Sequence, residues 1–245
     1  MFADRPFYER FALARAAGFD FVEFGDWTDL DFTRVTAELR ANDLRLASIA
    51  GSLGHALDDP DRREDFLEFL SQSIAVAKNF ACGNLIIEAG GDSLLYRETG
   101  GDFARIAAIT RALMDAAEKA RRSGVTLLLK PSDTHKDPHA ILHTTSAAVE
   151  VVKVVNSPDL RLVYDVTQMQ AMEGDIIATI RKYRDLIGYV QIGDDSYAAD
   201  LENSEINIRL FLEVLLGELG YKGIVGFLCG GGAEDATCLD ILGTF

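Results

Sequence analysis

Cysteine and proline are both scarce in this sequence. Its 245 residues contain three cysteines, Cys82, Cys229 and Cys238, and no two of them form a Cys-X-X-Cys pair. A structural zinc site is therefore not expected, and so sparse a set of thiols is typical of a reducing compartment. The five prolines and the glycines are not gathered into any linker, so we expect one domain covering residues 1–245.

Positive charge is scarce as well. Lysine and arginine number 24 against 39 aspartate and glutamate residues, which leaves a formal net charge of -15. Such a surface repels nucleic-acid phosphates and anionic lipids, so neither is an expected partner. No apolar run approaches the roughly 20 residues that cross a bilayer, and charged residues follow Met1 too soon for a secretory signal. We expect a cytoplasmic protein.

The chain does contain a regular alternation of short apolar runs and amphipathic segments. The runs have little polar interruption, which predicts parallel strands buried on both faces. Apolar residues at helical spacing predict helices over 65–80, 103–123 and 145–155, and Gly124 and Asp175 are predicted helix caps. The predicted strands are 19–24, 44–49, 84–88, 125–130, 160–165, 187–192 and 224–228.

Repeated strand–helix units over this length predict either a closed barrel or an open doubly wound sheet. No strand is followed by Gly-X-Gly-X-X-Gly or by a P-loop motif, which argues against the nucleotide-binding open sheets. Polar residues instead end five of the strands, where barrel enzymes place their chemistry. They are Glu23, Glu88, Lys130, Asp165 and Gln191. This pattern favours an α/β fold of the TIM (β/α)8 type.

Several motifs occur in an order known from one family of barrels. Residues 127–134 are similar to a strand ending in Glu-Pro-Ile-Asn-Thr, and residues 164–175 resemble Tyr-Asp-Ile-Tyr-His-Met-Gln with the Glu-Gly-Asp that follows. Residues 189–194 resemble His-Ile-Gln-Ile-Ala-Asp, and residues 220–226 resemble the lead-in to the last strand. From about Pro6 onwards, the chain thus resembles the hydroxypyruvate isomerase family of xylose isomerase-like TIM barrels.

The resemblance implies a divalent metal held by Glu, Asp, Gln and Glu at successive strand ends. Asp165 and Gln191 match the middle two positions, whereas Lys130 replaces the first Glu and Leu228 replaces the last. Gln168 stands where the family has a helper histidine. A hard cation needs several anionic oxygens, and the Lys130 ammonium would repel it. We therefore expect no metal and no other cofactor.

Lys130 has three candidate roles. It can form a structural ion pair with Asp165 in place of the cation, since a buried lysine needs a partner. It can act as an electrophile that stabilises an enolate beside a substrate carbonyl. Schiff-base or general-base chemistry requires a lowered pKa, which a nearby Asp165 opposes. We predict that Lys130 and Asp165 act together in catalysis, with Glu88 as a further catalytic candidate.

The remaining candidates are predicted to bind a small-molecule substrate. Each also has a simpler interpretation: a strand-end hydrogen bond for a glutamate, packing for the tryptophan, and plain exposure for a loop histidine. His135 and His139 are four residues apart, but Pro138 disfavours a helix there, so a metal-binding pair is not expected. The predicted binding residues are Glu23, Trp27, His55, Gln168, Gln191 and Cys229.

These residues predict a metal-independent enzyme that moves protons on a small polar carbonyl compound, by isomerisation, epimerisation or cyclisation. Two alternatives stay open: a non-catalytic binding or partner protein, and retained hydroxypyruvate isomerase activity.

The first strand of the family barrel has no counterpart before the helix expected after Pro6. A missing first strand leaves two strand edges unpaired. Three alternatives are open: the missing strand is encoded upstream of this sequence, the two edge strands pair directly with each other, or a partner chain covers the gap. We expect the last of these, a homodimer.

Overall fold

The computed structural model of the chain describes residues 1–90, 101–193 and 206–228. The chain forms two compact units. Unit 1 consists of Met1–Val22, Leu30–Arg45 and Tyr164–Phe245, and unit 2 consists of Glu23–Asp29 and Leu46–Val163. Among the predicted site residues, Cys229 lies outside the described ranges.

Short strands alternate with helices along the described chain. The strands are β1 (Phe21–Val22), β2 (Arg45–Leu46), β3 (Ile49–Ala50), β4 (Asn84–Glu88), β5 (Thr126–Lys130), β6 (Leu160–Asp165), β7 (Ile187–Ile192) and β8 (Ile224–Phe227). The helices are α1 (Glu9–Ala16), α2 (Phe32–Ala41), α3 (Arg63–Asn79), α4 (Asp102–Ser123), α5 (Thr145–Val155), α6 (Val166–Met172), α7 (Ile176–Tyr183) and α8 (Ile208–Leu212), which continues as a π-helix over Glu213–Glu218.

Every predicted strand is present, and the larger sheet follows the chain in the order β3-β4-β5-β6-β7-β8. The strand predicted over 44–49 is interrupted at Ala47 and Ser48, so it appears as the two short strands β2 and β3. Within residues 1–20, all of which are described, no strand precedes α1. The first strand of an eight-strand barrel is thus missing from this stretch, as the sequence predicts.

In unit 2 the parallel pairing is in register from β3 to β6. Leu85 pairs with Ile49 and with Leu127, and Leu127 pairs in turn with Leu160. All four of these side chains are buried, as expected for strands covered on both faces. The surrounding helices bury one face each. In α3 the buried face includes Phe66, Leu70, Ile74 and Ala77.

Two predicted helix ends are found in the structure. Gly124 ends α4 with a φ of 70°, the left-handed conformation expected of a C-cap glycine. Asp175 is the N-cap residue of α7, as the segment Glu173-Gly174-Asp175 predicts, and it has a φ of 46°. Its side chain makes no capping hydrogen bond, because its left-handed backbone departs from the extended conformation of a residue that caps through its side chain.

Among the described residues, none of the helices combines the length and apolar character that a bilayer crossing requires.

Candidate active site

The carboxyl ends of β4 and β5 bring two predicted catalytic residues together in unit 2. Glu88 and Lys130 are register partners in the parallel pairing of these strands. Register partners project from the same face of a sheet, so a carboxylate and an ammonium group leave the strand ends side by side. Glu88 is exposed and Lys130 is half-buried. Solvent therefore reaches both side chains.

The end of β4 is fixed by the loop that follows β3. The buried hydroxyl of Ser52 accepts a hydrogen bond from the Glu88 backbone N–H at 3.0 Å. Next to it, the Gly51 N–H donates to the Ile86 carbonyl at 2.7 Å. A Cβ atom at Gly51 would lie 2.5 Å from Cδ1 of Ile87, so a larger residue here requires the Ile87 side chain to move. The loop therefore holds the backbone of Glu88 in place.

Glu23 and Trp27 follow β1 and contact the segment around β3. The half-buried Glu23 carboxylate accepts a hydrogen bond from the Ser48 hydroxyl at 2.9 Å. The buried Trp27 indole donates its N–H to the Ala50 carbonyl at 3.0 Å. Glu23 thus keeps an oriented carboxylate at a strand end, whereas the burial and hydrogen bond of Trp27 favour its packing interpretation.

An aromatic stack connects Trp27 with His55. Phe69 of α3 stacks on Trp27 with 5.2 Å between ring centroids, and its ring lies 4.7 Å from the imidazole of His55. Both Phe69 and His55 are half-buried. The helical spacing of α3 makes Phe69 look like an ordinary core residue. Its ring contacts with Trp27 and His55 place it beside two predicted site residues.

The loop after β5 contains an aspartate–histidine pair. The Asp133 side chain is 3% exposed, and its Oδ1 lies 3.1 Å from Nδ1 of His135, whose side chain is 63% exposed. The same oxygen accepts the His135 backbone N–H at 2.8 Å. No helix forms over the described residues 131–144, so His135 and His139 do not share a helix face. The buried carboxylate orients one ring nitrogen of His135.

The other predicted residues lie in unit 1, where they are buried. Asp165, Gln168 and Gln191 are 1%, 2% and 3% exposed. Asp165 ends β6 and caps α6, because its carboxylate accepts the Gln168 backbone N–H at 3.1 Å. Polar groups buried at strand ends need fixed hydrogen-bond partners. The predicted joint action of Lys130 and Asp165 involves residues of both units and stays a prediction.

The position of Leu228 is fixed by the backbone at the ends of β7 and β8. The Leu228 N–H donates to the Ile192 carbonyl at 2.9 Å, and the Gly193 N–H donates to the Thr167 hydroxyl at 2.9 Å. Gly193 has a φ of 89°, and a Cβ atom there would collide with the Leu228 carbonyl oxygen. Leu228 therefore directly follows the end of β8, as its match to the last family glutamate implies.

The donor set at the four matched positions does not fit a hard divalent metal. Asp165 offers a carboxylate and Gln191 an amide oxygen, but Lys130 adds a positive charge and Leu228 has no lone pair to donate. Mg²⁺ and Ca²⁺ sites are built from several oxygen ligands. Within residues 1–90, 101–193 and 206–228, no three His, Cys, Asp or Glu side chains are grouped to hold a metal ion.

Two buried groups do not suit proton transfer near neutral pH. Burial raises the pKa of Tyr164, and the charge of Glu173 raises it further. The Tyr164 ring stacks on Phe211, and its hydroxyl donates to the Ile176 carbonyl at 3.3 Å. Burial also raises the pKa of the Cys82 thiol, so Cys82 behaves as a small apolar residue.

Parallel strands in chain order, alternating with helices and ending in polar side chains, define an α/β barrel protein of the TIM type. The sequence model of one family, described as xylose isomerase-like TIM barrel, matches residues 11–231. The chain belongs to this family.

Individual relatives match nearly the whole chain. The hydroxypyruvate isomerase of Escherichia coli K12 is 29% identical over 237 residues, which are 92% of this chain and 88% of that protein. The 2-oxo-tetronate isomerase of Cupriavidus necator is 28% identical over 235 residues, 92% of this chain and 88% of the relative. A crystal structure of an AP endonuclease, family 2, from Brucella melitensis superposes with a TM-score of 0.86 at 27% identity, covering 96% of this chain and 92% of that one.

Proposed function

We propose that this protein is a metal-independent isomerase-like enzyme that moves a proton on a small hydroxy-carbonyl compound. The observation that carries the proposal is the register pairing of Glu88 with Lys130 at the accessible ends of β4 and β5. A carboxylate beside an ammonium group supplies a base and an electrophile together. The isomerase names of the relatives support a short oxo acid with a neighbouring hydroxyl as the substrate class.

In the proposed reaction, the Glu88 carboxylate removes a proton from the carbon next to the substrate carbonyl. The electron pair of that C–H bond forms a C=C bond, and the carbonyl π electrons move onto oxygen, where the Lys130 ammonium stabilises the negative charge. Glu88 then returns the proton to the former carbonyl carbon. The hydroxyl proton leaves its oxygen as the other oxygen gains one, so carbonyl and hydroxyl exchange places.

Lys130 takes over the electrostatic role that the family assigns to its metal. An ammonium group places positive charge at the developing enolate oxygen, which is the role of an electrophile. Asp165, which the sequence predicts to act together with Lys130, is kept in the proposal as a further catalytic residue. Glu23, held by Ser48, and His55, packed on Phe69, are proposed to bind the polar groups of the substrate.

The endonuclease name of the Brucella structure is not carried over to this chain. A formal net charge of -15 opposes the binding of a phosphate backbone. Retained hydroxypyruvate isomerase activity is the second candidate function, because the similarity to the Escherichia coli enzyme extends over 92% of this chain. A non-catalytic binding protein is the outcome expected if no proton transfer is found.

The test is proton exchange between substrate and solvent, followed by NMR in D₂O with hydroxypyruvate and with a 2-oxo-tetronate. We expect the wild-type protein to exchange the carbon-bound proton after treatment with EDTA. Glu88→Gln and Lys130→Met should each lower the rate by at least about 100-fold. The matched control is the exposed Lys153–Glu150 pair on α5, 2.8 Å apart, whose variants Lys153→Met and Glu150→Gln should retain the rate.

Three outcomes count against the proposal. Absence of exchange with both compounds contradicts proton transfer on this substrate class. Exchange that EDTA abolishes and Mn²⁺ restores contradicts metal independence and supports a metal enzyme of the ordinary family type. Full exchange in Lys130→Met contradicts the electrophile role.

A further inference from the structure

A buried arginine joins two loops of unit 2 at the carboxyl side of the strands. The Arg105 side chain is 6% exposed and that of Asp58 is 1% exposed. Nε and Nη2 of Arg105 donate to the same Asp58 oxygen, Oδ2, at 3.0 and 2.7 Å. Nη2 also donates to the backbone carbonyl of His139 at 2.6 Å. We call these three contacts the Arg105 strap.

The strap connects three consecutive strand–helix connections. Asp58 lies in the segment after β3, which also carries Ser52 and His55. His139 lies in the loop that follows Lys130 at the end of β5. Arg105 is in the first turn of α4, the helix after β4. The segments that border the Glu88–Lys130 pair are therefore held by one guanidinium group.

The small net stability of a buried ion pair indicates that the Arg105 strap does more than stabilise the fold. Taking two charges out of water costs about as much as their attraction returns, so a buried ion pair adds little net stability over apolar residues. The planar guanidinium is nevertheless suited to hold two acceptors at fixed angles, which a lysine ammonium does not reproduce. Its distinctive effect is to fix the geometry of the two loops.

We propose that Arg105 and Asp58 are positioning residues, which hold the His55 loop and the loop after Lys130 in the substrate-binding arrangement before substrate arrives. The inference rests on the proposed function for its consequence in catalysis. A site held ready in advance loses less entropy when the substrate binds and reacts. Neither residue touches the reacting atoms in this proposal.

Two variants separate the parts of the strap. The double variant Arg105→Met with Asp58→Leu removes it without leaving an unpaired buried charge, so the protein is expected to fold. Arg105→Lys keeps a cation for Asp58 but cannot also reach the His139 carbonyl in the same geometry. The matched control is Arg181→Met with Glu218→Leu, which removes an exposed pair with the same two-nitrogen contact.

The measurements are hydrogen–deuterium exchange of the full chain, resolved by peptide, and steady-state kinetics with hydroxypyruvate. In the double variant we expect exchange in residues 53–59 and 136–143 to rise about tenfold or more, with the core strands unchanged. In Arg105→Lys only residues 136–143 should loosen. We expect kcat/KM to fall about tenfold in the double variant, while the control matches wild type in both measurements.

Unchanged loop exchange and unchanged kcat/KM in the double variant would overturn the positioning role. So would a uniform loss of protection across unit 2, since that result describes a purely structural ion pair. A wild-type protein inert toward hydroxypyruvate contradicts the proposed function instead. In that case the loop exchange of the two variants still decides whether the strap positions these segments.

Discussion

Glu88 and Lys130 face each other in the last residue pair of the β4–β5 ladder. One substitution there changes the local charge by two units, because Lys130→Glu places a second carboxylate next to Glu88. That substitution restores the first of the two glutamates that the family resemblance implies, and Asp165 and Gln191 already match the two middle positions in sequence.

The first prediction is a gain of metal binding. The double substitution Lys130→Glu with Leu228→Glu completes the family's four oxygen ligands, and we expect Mn²⁺ affinity to rise by about 100-fold over wild type. Isothermal titration with MnCl₂ measures the change. The matched control, Lys153→Glu with Leu216→Glu, adds the same charge at exposed positions. Equal affinities in wild type and double variant would contradict the metal-ligand set that the family resemblance implies.

The second prediction concerns Ser52. Ser52→Ala removes the acceptor of the Glu88 backbone N–H and should lower the free energy of unfolding by about 1–3 kcal/mol. Urea denaturation measures this loss. The control is Ser123→Ala, which removes a hydroxyl that donates to the Lys119 carbonyl within α4 and should change stability by under about 0.5 kcal/mol. If the two variants are equally stable, Ser52 does not hold the end of β4.

The third prediction separates backbone strain from steric collision at two glycines. Gly174 and Gly193 both have positive φ, but only a Cβ at Gly193 would meet other atoms, those of Leu228. Gly174→Ala should lower the free energy of unfolding by about 1 kcal/mol, and Gly193→Ala by at least about 2 kcal/mol more. Thermal and urea unfolding supply the comparison. Similar losses in both variants would contradict the close approach of Gly193 and Leu228.

The fourth prediction is a loss of stability at alkaline pH through Tyr164. Burial raises the pKa of this hydroxyl, whereas in the unfolded chain it ionises near pH 10. The folded state therefore keeps a proton that the unfolded state releases. This contribution is complete below about pH 10 and decreases by up to about 1.4 kcal/mol per pH unit above it.

Tyr164→Phe removes the ionisable group, so its unfolding free energy should decline less steeply between pH 10 and 11.5. Urea midpoints measured across this range give both slopes. Parallel curves for wild type and variant would mean that Tyr164 ionises in the folded protein as readily as in the unfolded chain.

The fifth prediction is a homodimer. No strand precedes α1 in the described residues 1–20, and an uncovered strand edge favours pairing with another chain. Light scattering after size-exclusion chromatography should give twice the chain mass at micromolar concentration. A monomeric mass at the highest soluble concentration would exclude cover by a second copy.

The sequence predicts features that depend on local periodicity. The run ending at Glu88 and the run ending at Lys130 are apolar and of similar length, so their parallel pairing follows from the strand pattern. Local periodicity does not predict contacts between residues that are distant in the chain. Ser52 and Glu88 are 36 residues apart, and Arg105 and Asp58 are 47 apart. An arginine in an amphipathic helix is expected at the surface, and only tertiary packing buries Arg105.

The break between β2 and β3 also coincides with hydrogen bonds to residues that are distant in the chain. The segment 44–49 has the composition of one continuous strand, but Ser48 turns its hydroxyl to Glu23 and Ala47 gives its carbonyl to the Asn84 side chain. The Ser48 hydroxyl and the Ala47 carbonyl are thus bonded to side chains, and the apolar pattern of a strand does not predict such bonds. Their partners are distant in the chain, Glu23 just after β1 and Asn84 in β4, so hydrophobic periodicity does not predict them.

The missing side chain at Gly51 makes this position a sensitive one in any mutational library. A replacement at this position requires either a new conformation of the Ile87 side chain or a shift of the loop, and a shift of the loop would carry Ser52 off the amide of Glu88. Saturation mutagenesis selected for activity should therefore deplete substitutions at this codon, the larger ones most strongly, although residue 51 offers no functional group to a substrate. Suppressors are expected at Ile87, where a shorter side chain such as valine or alanine would give the new methyl group room.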